Sequence, residues 1–147
     1  MTIAYLALGS NVGNRLENLQ VAAKMLDVTD GIEVEARSQI YETQSVVGGG
    51  PDDFLNAALR VSTQLSAREL LTAIQQIETQ IGRPQPPRHG PRLIDIDILL
   101  YGDAQIAEDD LQIPHPRMSH RAFVLKPLLD VLDGGWTKAT DFDWNRK

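Results

Sequence analysis

The chain has 147 residues, 42% hydrophobic and 23% charged, with a formal net charge of −6, which suits one domain with its own core. The acidic balance argues against nonspecific nucleic-acid binding, and no apolar run is long enough to span a membrane. Cysteine is absent, which excludes disulfides and thiolate metal sites and fits a reducing compartment.

"TIAYLAL", Thr2 to Leu8, is apolar and β-forming, and no basic segment precedes it, so it is expected to be a strand and not a signal peptide. "GSNVGN" then turns into a helix capped by Asn14, with Glu17 at the capping-box position and a stripe of Leu16, Leu19, Ala23 and Leu26. A second strand is expected over Ile32 to Tyr41 and a glycine- and proline-rich loop over Glu42 to Asp53. The third strand runs from Phe54 to Thr63, with Leu55, Ala57, Leu59 and Val61 on one face. Ser66 and Glu69 open a second helix, whose stripe is Leu70, Ile74, Ile77 and Ile81 and whose end is Gly82. The proline-rich loop from Arg83 to Arg92 leads into a strand through "LIDIDILLY". An irregular stretch to about Met118 and a helix over Arg121 to Leu132, despite Pro127, complete the order. The order βαββαβα predicts an α+β domain over residues 1–147. Its expected core is a ferredoxin-like, split-βαβ antiparallel sheet with two helices on one face.

Asp95 and Asp97 share one face of their strand, while Ile94, Ile96, Ile98 and Leu100 take the other. Holding two like charges close is costly, and a divalent cation, Mg²⁺ first, offsets that cost. Two solvated surface carboxylates are the plainer alternative. Arg83, Arg88 and Arg92 fall in a stretch with no acidic residue, with Arg117 and Arg121 beyond. They fit a phosphate chain and a solvated basic loop equally well. "GSNVGN" lacks the lysine and hydroxyl of a phosphate loop and reads better as a tight turn. Phe54 and Asn56 on one strand face are suited to stack on and hydrogen-bond a heterocycle, although cross-strand packing is the commoner use. His115, between two prolines, is either a phosphate contact or a loop histidine; His120 is read as structural. No cysteine–histidine pair or G-x-S-x-G elbow supports covalent catalysis.

Together, "ALGSNVGNR", "YET", "DFLNAA", "ELLTAIQQIETQIGR", "GPRLIDIDILLYG" and "IPHPRMSHRAFVLKPL" resemble the 6-hydroxymethyl-7,8-dihydropterin pyrophosphokinase family, in family order from residue 4 to about residue 130. The resemblance implies a ferredoxin-like sheet and transfer of the pyrophosphoryl group of ATP to the hydroxymethyl oxygen of the pterin, releasing AMP, in folate biosynthesis. It implies two Mg²⁺ ions on Asp95 and Asp97, with Arg83 and Arg92 gripping the phosphates and stabilising transfer. Gln75, Glu78, Arg88, Ile98, His115 and Arg121 match further ATP-site positions. Gly9, Thr43, Phe54, Asn56 and Phe123 match the pterin pocket, where Phe54 and Phe123 sandwich the ring. The substrates implied are ATP and hydroxymethyldihydropterin. The sequence shows no long heptad pattern, so a monomer is the default, and a cytoplasmic protein with no nucleic acid, membrane or obligate protein partner is expected. Three positions depart from the family and bear on loop closure and rate. His89 stands where a tryptophan is usual, "RPQPP" lacks an arginine that some members carry, and Ser45 replaces a proline. A non-catalytic nucleotide- or pterin-binding relative and a two-metal nucleotidyl transferase are the alternative readings.

Overall fold

The computed structural model describes residues 1–43, 54–82, 93–116, 118, 122–132 and 137–138, with backbone alone at 43, 122–123 and 137–138. The elements in chain order are β1 (Thr2–Ser10), α1 (Arg15–Asp27), β2 (Ile32–Arg37), β3 (Tyr41–Thr43), β4 (Phe54–Thr63), α2 (Ala67–Ile81), β5 (Asp95–Tyr101), β6 (Ile106–Glu108), β7 (Leu111–Ile113), α3 (Ala122–Val131) and β8 (Thr137–Lys138).

Local chemistry sets the helix ends. The Asn14 side chain accepts from the Glu17 N–H at 3.0 Å, satisfying a donor that the first turn of α1 leaves open. At α2 the capping box is complete: Ser66 Oγ accepts from the Glu69 N–H at 3.1 Å, and Glu69 Oε1 accepts from the Ser66 N–H at 2.8 Å. Gly82 ends α2 at φ +146°, and a Cβ there would lie 2.6 Å from Leu93 Cδ1. Both the backbone angle and the seat for Leu93 therefore require glycine. Leu70 and Ile74 of α2 are fully buried, and truncating either to alanine costs about 2–5 kcal/mol.

The sheet is antiparallel, with path β5-β1-β4-β2-β8 and β3 paired to β4. β1 and β2, on either side of α1, do not pair; β4 lies between them. β4 and β5, on either side of α2, are separated in turn by β1. One sheet face carries Leu6, Leu8, Ala57, Leu59, Ile96 and Ile98 into a core shared with α1 and α2. The opposite face carries Ala36, Ala58 and Leu99 against Leu128 and Val131 of α3.

The structure departs from the expected order in particular places. The strand expected over residues 32–41 is two strands, because Ser38 turns its side chain into the ladder. Ser38 Oγ accepts from the Ala58 N–H at 2.8 Å and donates to the Gln39 carbonyl at 2.7 Å. The stretch expected to be irregular contains the β6–β7 hairpin, whose Leu111 and Ile113 are buried in the core. α1 and α2 share one face of the sheet as expected, and α3 covers the other, which explains why β4 is buried at Asn56 and Ala58 as well as at Ala57 and Leu59. A short β8 pairs with β2 beyond α3.

Candidate active site

Strand register brings distant residues to one level of the sheet. Asn56 of β4, Gly9 of β1 and Asp95 of β5 are direct partners in one row. Ala58, Ala7 and Asp97 form the next. Direct partners in an antiparallel sheet share a face. Asp95 and Asp97 therefore stand on the α3 side of the sheet, with Asn56 two strands away. Ile96 and Ile98, on the core side, are 5% and 4% exposed. Asp97 is exposed and Asp95 half-buried.

Gly9 leaves open the space between Asn56 and Asp95. A Cβ there would come 3.3 Å from Asn56 Oδ1 and 3.8 Å from Phe54 Cδ1, so the amide and the ring edge border the same gap. Tyr41 pairs with Asn56, which extends the Asn56 row onto β3, and Thr43 pairs with Phe54 at the next same-face level. A flat ligand lying across this face meets an amide, an aromatic ring and, about 10 Å along, a carboxylate, given two strand spacings.

β5 is an edge strand and is anchored from behind and at its start. Glu78 of α2 is 4% exposed, and its Oε2 accepts from the Ile96 N–H at 2.9 Å. Ser10 Oγ donates to the Leu93 carbonyl at 2.6 Å, and Asn18 donates to Ser10 Oγ at 3.0 Å and to the Val12 carbonyl at 2.9 Å. The polar groups of the "GSNVGN" turn thus fasten the approach to β5. Gln75, one turn before Glu78, is exposed.

A cleft of about 230 Å³ opens where α2, β5 and the hairpin meet, lined by Leu71, Asp97, Ile98, Asp110 and His115 among others. The His115 N–H donates to the Leu99 carbonyl at 3.0 Å, which fixes the histidine beside β5. Arg68 of α2 holds the outer wall: its Nη1 donates to both oxygens of Asp110, at 2.9 and 2.8 Å, and its Nη2 to Glu108. That hydrogen bonding, and then the guanidinium charge, hold the Asp110 carboxyl below the usual range.

Among the described residues no group of three or more His, Cys, Asp or Glu is gathered to hold a metal. Asp95 and Asp97 therefore offer two hard oxygen donors on one face. That set fits a cation such as Mg²⁺, which takes its remaining ligands from water and phosphate oxygens; it does not fit a closed all-protein cage.

Several residues singled out in the sequence lie outside the described residues: Arg83, Arg88, His89, Arg92, Arg117, His120, Arg121 and Ser45. Phe123 is placed on α3 by its backbone. The structure adds residues that sequence patterns did not single out: Tyr41, whose hydroxyl donates to Asp130 of α3 at 2.7 Å, and the Arg68–Asp110 pair. Only a contact between segments far apart in the chain reveals either.

A family model described as 7,8-dihydro-6-hydroxymethylpterin-pyrophosphokinase (HPPK) matches residues 5–133. The chain is 41% identical over 145 residues to the 2-amino-4-hydroxy-6-hydroxymethyldihydropteridine pyrophosphokinase of Bacillus subtilis, covering 99% of this chain and 87% of that one. It is 41% identical over 140 residues to the mitochondrial folate synthesis bifunctional protein of Pisum sativum; the match covers 95% of this chain but only 27% of that relative's length. Among solved structures, Plasmodium falciparum HPPK-DHPS with SDX-DHP aligns with a TM-score of 0.68 at 17% identity, over 95% of this chain and 41% of that one. At that identity the likeness speaks for the fold alone.

Proposed function

The chain belongs to the 7,8-dihydro-6-hydroxymethylpterin-pyrophosphokinase family, and from this we propose that it transfers the pyrophosphoryl group of ATP to 6-hydroxymethyl-7,8-dihydropterin, in folate biosynthesis. The row Asn56–Gly9–Asp95 carries the reading. It sets a hydrogen-bonding amide about 10 Å from a carboxylate, with a glycine gap between them, a span that suits a bicyclic ring with a one-carbon arm.

In this reading Gly9, Thr43, Phe54, Asn56 and Phe123 hold the pterin, with Phe54 and Phe123 on its two ring faces. Such stacking is worth roughly 0.5–1.5 kcal/mol per pair beyond burial. Gln75, Ile98 and His115 stand on the ATP side, Glu78 supports β5 from behind, and Arg83, Arg88, Arg92 and Arg121 take the phosphates. The hydroxymethyl oxygen attacks the β-phosphorus, the bond from that phosphorus to the α–β bridging oxygen breaks, AMP leaves, and the hydroxyl proton passes to solvent. Asp95 and Asp97 hold Mg²⁺, two ions in this reading. When bound, it neutralises phosphate charge and acidifies the hydroxyl. The chain's own contribution is alignment and charge placement, which phosphoryl-type transfer needs more than a strong base. The working form is a cytoplasmic monomer of one ferredoxin-like domain; the split of β1 and β2 around β4 supports the fold, and the lack of cysteine is consistent with a reducing compartment.

The test is product identity. Protein incubated with ATP, Mg²⁺ and hydroxymethyldihydropterin is expected to form AMP and the pterin pyrophosphate; ADP, or no product, overturns the reading. Asp97→Ala is expected to lose turnover while keeping the wild-type circular dichroism.

A further inference from the structure

We propose that Asp130 is a positioning residue for the pterin half of the site, an inference that rests on the activity proposed above. Asp130 lies in the last turn of α3, where the helix dipole disfavours an anion. Its carboxylate is nevertheless used. One oxygen, Oδ2, accepts both from the Tyr41 hydroxyl at 2.7 Å and from the Gln39 N–H at 3.1 Å. Hydrogen bonds to a charged acceptor are the stronger kind. That single oxygen joins α3 to the start of β3.

β3 needs the help. It is three residues long and, among the described residues, pairs with β4 alone. Its residues nevertheless sit beside the pterin row, Tyr41 opposite Asn56 and Thr43 opposite Phe54. The adjacent Glu42 accepts from Arg15 Nη1 of α1 at 2.9 Å, so neighbouring residues of β3 are tied to helices on opposite sides of the sheet. On the α3 side the tie reaches the helix that bears Phe123. Leu128 and Val131 anchor α3 to the sheet by burial, a non-directional contact that permits sliding and rotation. The Asp130 hydrogen bonds are directional and set the distance between α3 and the Asn56 row, and with it the width of the slot for a flat ring.

The test separates the two substrates. Asp130→Ala is expected to raise KM for hydroxymethyldihydropterin about tenfold, as loss of a supporting contact does when a site loosens, with KM for ATP within about twofold of wild type. Tyr41→Phe removes one of the two bonds with little loss of packing, and is expected to shift the same constant by less. Asp130→Asn keeps an oxygen that accepts from both donors and is expected to restore pterin KM nearly to wild type. An unchanged pterin KM in Tyr41→Phe and in a folded Asp130→Ala, or an equal rise in both KM values, overturns the latch and leaves the proposed activity standing. A wild-type protein that neither forms AMP nor binds the pterin by calorimetry overturns both.

Discussion

The carboxylate of Glu78 accepts the backbone N–H of Ile96, the residue between Asp95 and Asp97, at 2.9 Å. Among the described residues β5 is an edge strand, so this donor has no strand neighbour there to pair with and would otherwise be stranded beside the core. A helix residue thus closes the edge of the strand that presents both aspartates. The position of the carboxylate pair is coupled to α2, and through Leu70, Ile74 and Ile77 to the main core.

Glu78→Ala is therefore expected to destabilise the protein by about 1–3 kcal/mol, the cost of leaving a buried donor unsatisfied. Glu78→Gln keeps an acceptor and is expected to lose less. Urea unfolding checks both; an alanine variant with the wild-type midpoint shows that Ile96 finds another partner.

Gly9→Ala probes the gap between Asn56 and Asp95. The added methyl would sit 3.3 Å from Asn56 Oδ1 and 3.8 Å from Phe54 Cδ1, tight but tolerable, so the fold is expected to survive at a cost of about 1–3 kcal/mol. The pterin KM is expected to rise while the ATP KM stays. Steady-state kinetics with each substrate varied in turn decides it, and an unchanged pterin KM removes Gly9 from the pocket.

These relationships differ in how far local sequence reveals them. The Ser66–Glu69 box and the Leu70, Ile74, Ile77 stripe bound α2 closely because capping and periodicity are properties of adjacent turns. β4 falls over the expected residues for the same kind of reason. The break at Ser38 was hidden because its side chain bonds to Ala58, on another strand. The β6–β7 hairpin was hidden because three-residue strands are too short to show alternation. In the site, alternation alone puts Asp95 and Asp97 on one face. That Gly9 and Asn56 join them depends on cross-strand register, and the Tyr41–Asp130 bond spans 89 residues. No local pattern encodes either.

Arg68 bears on nucleotide binding through charge. The cleft it borders includes Asp97, Asp109 and Asp110 in its lining, a set that repels a polyphosphate unless countered. Arg68→Ala is expected to raise KM for ATP about two- to fivefold at low ionic strength, with the effect fading as salt screens it. Asp110→Asn in the same chain is expected to reverse the loss. Because the Arg68 pair depresses the Asp110 pKa, its contribution holds above about pH 4, the ordinary carboxylate value, and is lost as pH falls further. A salt-independent rise in KM would point to altered shape in place of charge.

Tyr41 supplies a spectroscopic handle on the α3–β3 latch. Partial burial, and then the hydrogen bond and charge of Asp130, push its pKa up to about 12, against an ordinary value of about 10. A raised folded-state pKa means that the fold favours the neutral phenol. Its contribution to stability is therefore complete below about pH 10 and is lost as pH rises toward 12. Ultraviolet absorbance of tyrosinate is expected to show one tyrosine ionising near pH 12, a step that Tyr41→Phe removes and that Asp130→Asn, lacking the charge, moves down. Wild-type stability is expected to fall more steeply than that of Tyr41→Phe across the same alkaline window. A late ionisation that survives in Tyr41→Phe would assign it to another tyrosine and break the link between Tyr41 and Asp130.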